Sequence, residues 1–163
     1  MKVNYVEEIP VQDYMRLHEE AKWGTVPEEQ ARMTVANAAF VISARAEDGT
    51  VIGISRLLWD GGTTAYVCDV IVSPPYHGQG IGRGLMTRIM DYMQQRIQPG
   101  WRVFVSLVAA PEKEPFYEKF GFIRRPNDHQ GAGMSLFLEG ELDTGSLTYS
   151  SDQKSCATIF IKQ

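Results

Sequence analysis

An apolar strand that runs through two prolines into a glycine-dense turn, and from there into a helix, constrains this chain more than any other stretch. The strand is Ala65 to Val72, the prolines are Pro74 and Pro75, and the turn reads Tyr76-His77-Gly78-Gln79-Gly80-Ile81-Gly82-Arg83-Gly84-Leu85. Its alternating glycines give a backbone without Cβ atoms, which a ligand can approach closely. Successive amides at the start of a helix add N–H donors and a positive dipole end, a combination that suits a phosphate or pyrophosphate. The same residues could also make a tight strand-to-helix connection that binds nothing, so the surroundings of the turn must decide.

Those surroundings predict an α/β (α+β) fold with a mixed, mostly antiparallel central sheet flanked by helices. Val3 and Tyr5 alternate with polar residues up to Ile9-Pro10, a short first strand. Val11, Tyr14, Met15, Leu17 and Ala21 recur at helical spacing to about Lys22, and Pro27-Glu28-Glu29 opens a second helix that runs to about Asn37. Phe40 to Ala44 and Val51 to Leu58 flank the hairpin turn Glu47-Asp48-Gly49-Thr50, and Asp60-Gly61-Gly62 turns the chain into the strand Ala65 to Val72. That strand is apolar on both faces apart from Asp69, the pattern of a strand at the centre of a sheet.

After the glycine turn, Ile81, Leu85, Ile89, Met93 and Ile97 fall at steps of four, widened by Met86 and Met90, until Pro99-Gly100 stops the helix. Arg102 to Leu107 reads as a strand, Glu112 to Phe120 as a short helix closed by Gly121, and Phe122 to Arg125 as extended chain. Met134 to Leu138 adds a last strand. Residues 140–163 differ in character, with turn-like Asp143 to Ser146 and Ser150 to Gln153 and one more apolar run, Ala157 to Ile161. The expected division is a domain over 1–139 and a C-terminal extension over 140–163.

At 163 residues and 44% hydrophobic content the chain can bury a core of its own. A net charge of -4 without any lysine- or arginine-rich run argues against a nucleic-acid partner. No apolar run approaches the roughly 20 residues that span a bilayer, so no membrane partner and a cytoplasmic location are expected. Cys68 and Cys156 have neither metal-ligand nor disulfide-framework spacing, which predicts free thiols and no metal site.

Two common phosphate-binding patterns fail here. A dinucleotide fingerprint counted from Gly78 or Gly80 meets Arg83 or Leu85 at its sixth position, and no Lys-Ser or Lys-Thr pair follows the glycines as a Walker loop requires. With strand, glycine turn and helix set beside Glu114-Pro115-Phe116-Tyr117-Glu118-Lys119-Phe120-Gly121-Phe122, the chain instead resembles the GCN5-related N-acetyltransferase (GNAT) family over roughly Met1 to Leu138. The family motif is Arg or Gln, two residues, Gly, one residue, then Gly or Ala. Here it reads His77-Gly78-Gln79-Gly80-Ile81-Gly82, with His77 departing from the pattern.

The resemblance implies acetyl-CoA as cosubstrate. Backbone groups of Val70, Ile71 and Val72 would bond the pantetheine arm and the acetyl carbonyl, while His77, Gly78, Gln79, Gly80, Ile81, Gly82 and Arg83 would cradle the pyrophosphate. Donors aimed at the thioester oxygen would stabilise the charge that develops as an amine attacks the acetyl carbon directly. Tyr117 matches the tyrosine that protonates the departing thiolate. A phenol of pKa about 10 stays protonated at neutral pH and can donate to that thiolate; without that role, Tyr117 is an aromatic packed beside Phe116 and Phe120.

The base is open between several groups. Asp69 is the one acid within the central strand, and an unpaired buried carboxyl would suit a base, whereas one satisfied by backbone or a basic side chain would not. Glu19, Glu20 and Glu28 border the acceptor side by resemblance but also fit a solvated helix face. His18 and His129 have no motif around them, and Cys68 reads as core. The expected function is transfer of the acetyl group of acetyl-CoA to a primary amine of a small molecule. Its rivals are a non-catalytic acyl-CoA sensor and an acetyltransferase acting on protein lysines or N-termini. Oligomeric state is open, with a homodimer among the arrangements allowed.

Overall fold

Alternating Val, Ile, Leu and Phe through the first two thirds of the chain produce one sheet. In the computed structural model, which describes residues 2–135, 137–140 and 147–149, that sheet holds β1 (Asn4–Val6), β2 (Phe40–Arg45), β3 (Val51–Trp59), β4 (Thr64–Val72) and β5 (Phe104–Ser106) in the order β1-β2-β3-β4-β5. The pairs from β1 to β4 are antiparallel and β4 with β5 is parallel. This is the mixed, mostly antiparallel sheet that the sequence predicts. The β2–β3 turn uses Gly49 at φ 88°, and the Asp48 carboxylate accepts the Thr50 amide at 2.9 Å.

Helices cover both faces, which explains why β3 is buried almost without interruption. The α-carbon of Gly53 lies against Ile81 and Leu85 of α3 (Ile81–Gln94), while the next residue, Ile54, packs with Tyr14 and Leu17 of α1 (Val11–Glu20). Ala31 of α2 (Glu28–Ala36) joins the α1 side of that core. Along α3, Ile81, Leu85, Met86, Ile89 and Met93 are all 2% exposed or less. Each such burial contributes about 1.5–3 kcal/mol, so this face sets the height and direction of the helix that begins at the glycine turn.

Several elements are shorter than their sequence patterns. α1 stops at Glu20 because Lys22 takes φ 60°, and α3 stops at Gln94 although Ile97 still donates its amide to Met93. β5 keeps only Phe104–Ser106, the three residues that find partners on β4. Tight side-chain fits accompany these limits: Phe40 stacks on Tyr92 at 4.2 Å, and the Tyr92 hydroxyl donates to the Ala39 carbonyl at 2.9 Å.

Among the described residues the chain divides into two compact units at Leu107–Val108, and most of the expected extension over 140–163 lies outside the described residues. Within the second unit α4 (Glu114–Glu118) is shorter than the expected Glu112–Phe120, since Glu112 has φ 66° and the amides of Phe120 and Gly121 close three-residue turns onto Tyr117 and Glu118. β6 (Leu138–Gly140) pairs antiparallel with β7 (Leu147–Tyr149). The predicted strand at Met134–Leu138 is therefore displaced to Leu138–Gly140, where that partner exists. The apolar run Ala157–Ile161 and Cys156 lie outside the described residues. No described helix is long and apolar enough to cross a membrane.

One contact fixes the start of α3 against the sheet. A Cβ placed on Gly84 would stand 1.9 Å from the Tyr5 hydroxyl oxygen and 2.4 Å from Cζ, and the Tyr5 ring is itself held by the Arg88 guanidinium 3.5 Å from its centroid. Gly84→Ala gains about 1 kcal/mol of helix propensity but forces the ring out. A net destabilisation of about 1–2 kcal/mol is expected in urea unfolding. In a Tyr5→Ala background the same substitution should become stabilising, and an unchanged sign would show that the ring does not control this position.

Candidate functional site

The glycine turn is built as an open cradle. Ser73 donates its amide to the Ile52 carbonyl at 2.8 Å, a single 3₁₀ turn over Pro74–Tyr76 comes next, and Gly78 and Gly80 then take φ 75° and 82°. A Cβ on either glycine would meet no protein atom within 4 Å. The absence of side chains here thus leaves room above the backbone, and the left-handed geometry favours Gly at both positions. Gly80 caps α3, and Gly84 is the first residue to donate back into the helix, to the Gly80 carbonyl at 3.0 Å.

Among the described residues, the amides of Gly78, Gln79, Gly80, Ile81, Gly82 and Arg83 donate to no protein acceptor. They form a run of donors at the positive end of a 14-residue helix. This donor set matches the chemistry of a pyrophosphate, and the open space above Gly78 and Gly80 leaves room for one. His77 plays a different part from a flexible arm over that space. Its ring Nε2 lies 2.7 Å from the Val72 carbonyl oxygen; since a carbonyl only accepts, Nε2 carries the proton, and the ring ties the turn to the end of β4.

β4 changes its character along its length. Its ladder to β5 runs from Thr64 opposite Phe104 to Tyr66 opposite Ser106 and goes no further. From Val67 to Val72 the edge away from β3 has no ladder partner among the described residues, so the backbone groups of Val70 to Val72 that point to that side, apart from the Val72 carbonyl engaged by His77, are open to an extended ligand arm. On the β3 side the register slips at the same place. Ile54 pairs with Ile71 and Arg56 with Cys68, which leaves Ser55 opposite both Asp69 and Val70. Asp69 takes φ 54° within this bulge, a conformation that costs a non-glycine residue about 1–3 kcal/mol.

The Asp69 side chain is held on several sides. Its Oδ2 accepts from Arg56 Nε in a close ion pair and from the Tyr14 hydroxyl at 3.1 Å, while Oδ1 lies 3.7 Å from His18 Nε2. The Arg56, Asp69 and His18 side chains are only 14%, 12% and 11% exposed. Of the two alternatives open to an acid in this strand, the structure has the carboxylate satisfied by a basic side chain. Burial, then the Asp69 charge, raises the Tyr14 phenol above its ordinary pKa, so it stays a donor. Burial lowers the His18 imidazole, against the attraction of Asp69, and leaves it neutral at pH 7 with a buried, unbonded Nε2. Burial, followed by Asp69, pushes the Cys68 thiol up to about 12, which keeps it protonated and unreactive.

Tyr14, His18 and Arg56 are the site residues that sequence patterns pass over. A signal existed for one of them: His18 falls four residues after Tyr14 on the stripe that also carries Leu17, a polar group where an apolar one is the rule. Two of the early acids form ion pairs on their own helices, and Glu20 also lies beside Ser73 with its Oε2 buried and unbonded. Glu20 pairs with Arg16 at 2.6 Å and Glu28 with Arg32 at 2.9 Å. Tyr117 lies on α4 of the second unit, half-buried, edge-on to Phe116 at 4.9 Å and Phe122 at 6.2 Å. His129 is in an exposed loop of that unit, its amide capped by Asn127 at 3.0 Å.

Known proteins share this fold. A crystal structure of a probable acetyltransferase from meticillin-resistant Staphylococcus aureus, SA2161, superposes with a TM-score of 0.72 at 30% identity, covering 82% of this chain and 99% of that one. An uncharacterized N-acetyltransferase, ycf52, of Pyropia yezoensis is 25% identical over 112 residues, 67% of this chain and 62% of the relative. The histone acetyltransferase TAP1 of Glycine max is 25% identical over 134 residues, 76% of this chain and 56% of the relative. The chain thus spans less than two thirds of these two curated relatives. Residues 4–122, which contain the sheet, the glycine turn and α4, match the model of the acetyltransferase (GNAT) family, and the chain belongs to that family.

Proposed function

We propose that the chain is an acetyl-CoA-dependent N-acetyltransferase acting on a primary amine of a small molecule. The observation that carries this reading is the pairing of an unpartnered β4 edge with a glycine cradle of undonated amides directly after it. Bound acetyl-CoA would supply the acetyl group as a thioester. The amides of Gly78 to Arg83 would hold its pyrophosphate, and backbone groups of Val70, Ile71 and Val72 would orient the arm and donate to the carbonyl oxygen. Donors fixed in advance in this way stabilise developing charge by several kcal/mol. Tyr117 would give its hydroxyl proton to the thiolate as that group departs.

The acceptor must present a neutral amine, so a cationic substrate loses a proton before it reacts. The net charge of -4 favours approach of a cationic small molecule. A second reading, transfer to a protein lysine, draws support from the relative named as a histone acetyltransferase. The two separate in one assay. Thiol release from acetyl-CoA is followed with a panel of small amines and with lysine-containing peptides. Release with the small amines is expected, release confined to peptides would select the second reading, and no release with any acceptor despite acetyl-CoA binding would favour a non-catalytic sensor.

In the same assay Tyr117→Phe should lower kcat about 10²-fold, the lower end of general-acid effects, with acetyl-CoA affinity within about threefold by calorimetry. Undiminished turnover would remove Tyr117 as the acid.

The cradle has its own test with an internal control. Gly80 and Gly49 both have positive φ and open space around them, at the cradle and in the β2–β3 turn respectively. Alanine at either should cost about 1–2 kcal/mol of stability from left-handed strain alone. Only Gly80→Ala should also weaken coenzyme A binding, by at least tenfold in calorimetry. Equal affinity in the two variants would displace the pyrophosphate from this turn.

A further inference from the structure

We propose that Asp69 acts as a positioning residue, whose carboxylate, locked by Arg56 and Tyr14, holds a left-handed backbone step that aims Val70, Ile71 and Val72 at the acetyl donor. The inference rests on the acetyltransferase reading above and assigns a role within it to Asp69 and its partners. It departs from the role that an acid in this strand suggests at first sight, that of a base.

Three observations carry it. Asp69 has φ 54° in the middle of a strand, a conformation that persists in a non-glycine residue only where its surroundings impose it. The register slip opposite Ser55 starts at this residue, and an extra residue in a ladder bends the strand and re-aims the residues beyond it. Those residues, Val70 to Val72, belong to the stretch of β4 that has no ladder partner on its far side among the described residues. The bulge therefore lies within the unpaired part of the strand, three residues past Tyr66, and immediately precedes Val70 to Val72.

The carboxylate is arranged to hold this step rather than to take a proton from a substrate. Oδ2 is engaged by both Arg56 and Tyr14, and Oδ1 faces His18 Nε2 at 3.7 Å, so each oxygen points at protein. A base must come within hydrogen-bond reach of the proton it removes, and this side chain is 12% exposed. The negative charge is already balanced by the guanidinium. The groups facing it are Tyr14 and His18 from α1, Arg56 from β3 and the neighbouring Cys68 thiol, none of which is a ready proton exit.

Substitutions at Asp69 separate the two roles, because Asn enters the left-handed region readily and keeps an acceptor oxygen but cannot take up a proton, whereas Ala does neither. With an acceptor that wild type uses, Asp69→Asn should keep more than one hundredth of the wild-type kcat, and its pH profile should retain both limbs. Asp69→Ala should fall further, with the loss in kcat exceeding any rise in the KM for acetyl-CoA. Tyr14→Phe, which deletes one hydroxyl and preserves packing, should lower kcat by about three- to tenfold in a folded protein. A loss of a hundredfold or more in Asp69→Asn, together with loss of the acidic limb, would overturn the inference and make Asp69 the base. Should Asp69→Ala not fold, the Asn variant alone decides on the same threshold. A wild type that releases no thiol with any acceptor would sink the acetyltransferase reading instead. Acetyl-CoA binding then decides this inference: affinity at least tenfold weaker in Asp69→Ala than in Asp69→Asn sustains it, and equal affinities overturn it.

Discussion

β4 has to be an interior strand at one end and an edge at the other, and the rest of the first unit is arranged around that requirement. Between Thr64 and Tyr66 it is paired on both sides, to β3 and to β5; beyond Tyr66 only the β3 side is paired among the described residues. An edge strand normally exposes unmet N–H and C=O groups to any passing chain. Here the unpaired stretch is short, bent by the bulge at Asp69, and ends at the Val72 carbonyl, which the His77 ring engages. The strand then delivers the backbone directly into the glycine turn, so one continuous segment carries both the unpaired edge and the undonated amides.

The bulge is tolerated because the charge within it is matched. Arg56 and Asp69 are mostly removed from water, and taking either away would leave a buried unpaired charge, a loss of about 3–5 kcal/mol. Tyr14 and His18 reach the same carboxylate from α1, which links the packing of that helix on the sheet to the conformation of β4. His18 contributes through its neutrality: burial disfavours its charged form, so α1 can lie close to Arg56 without a second cation beside it. The cluster joins strand, helix and bulge through side chains from three separate elements.

α3 completes the frame from the opposite face. Its buried stripe rests on the sheet at Gly53, where a Cβ would stand 3.3 Å from both Ile81 and Leu85, and its second glycine contact, Gly84 against Tyr5, fixes the rotation of the first turn. The amides of the cradle are thereby aimed by core packing far from any ligand. The turn is set by a helix terminus and a strand end, both anchored in the core.

The repeat of apolar residues was enough to predict the helices, the antiparallel hairpins and the strand that leads to the glycine turn, since each of these depends on spacings within about ten residues. The glycine pattern likewise predicted an open, left-handed turn at Gly78 and Gly80, because a positive φ and the absence of Cβ atoms are properties that the residue itself carries. The shorter β5 and α4 were beyond such patterns: β5 ends where β4 ceases to offer it a partner, and α4 starts late because Glu112 turns left-handed. Asp69 shows the division most clearly. The sequence marked it as the lone acid in an apolar strand and left its state open. Only the tertiary structure brought Tyr14, His18 and Arg56 to it from two other elements of the chain, because the partners and backbone of a buried acid are decided by what the fold places around it.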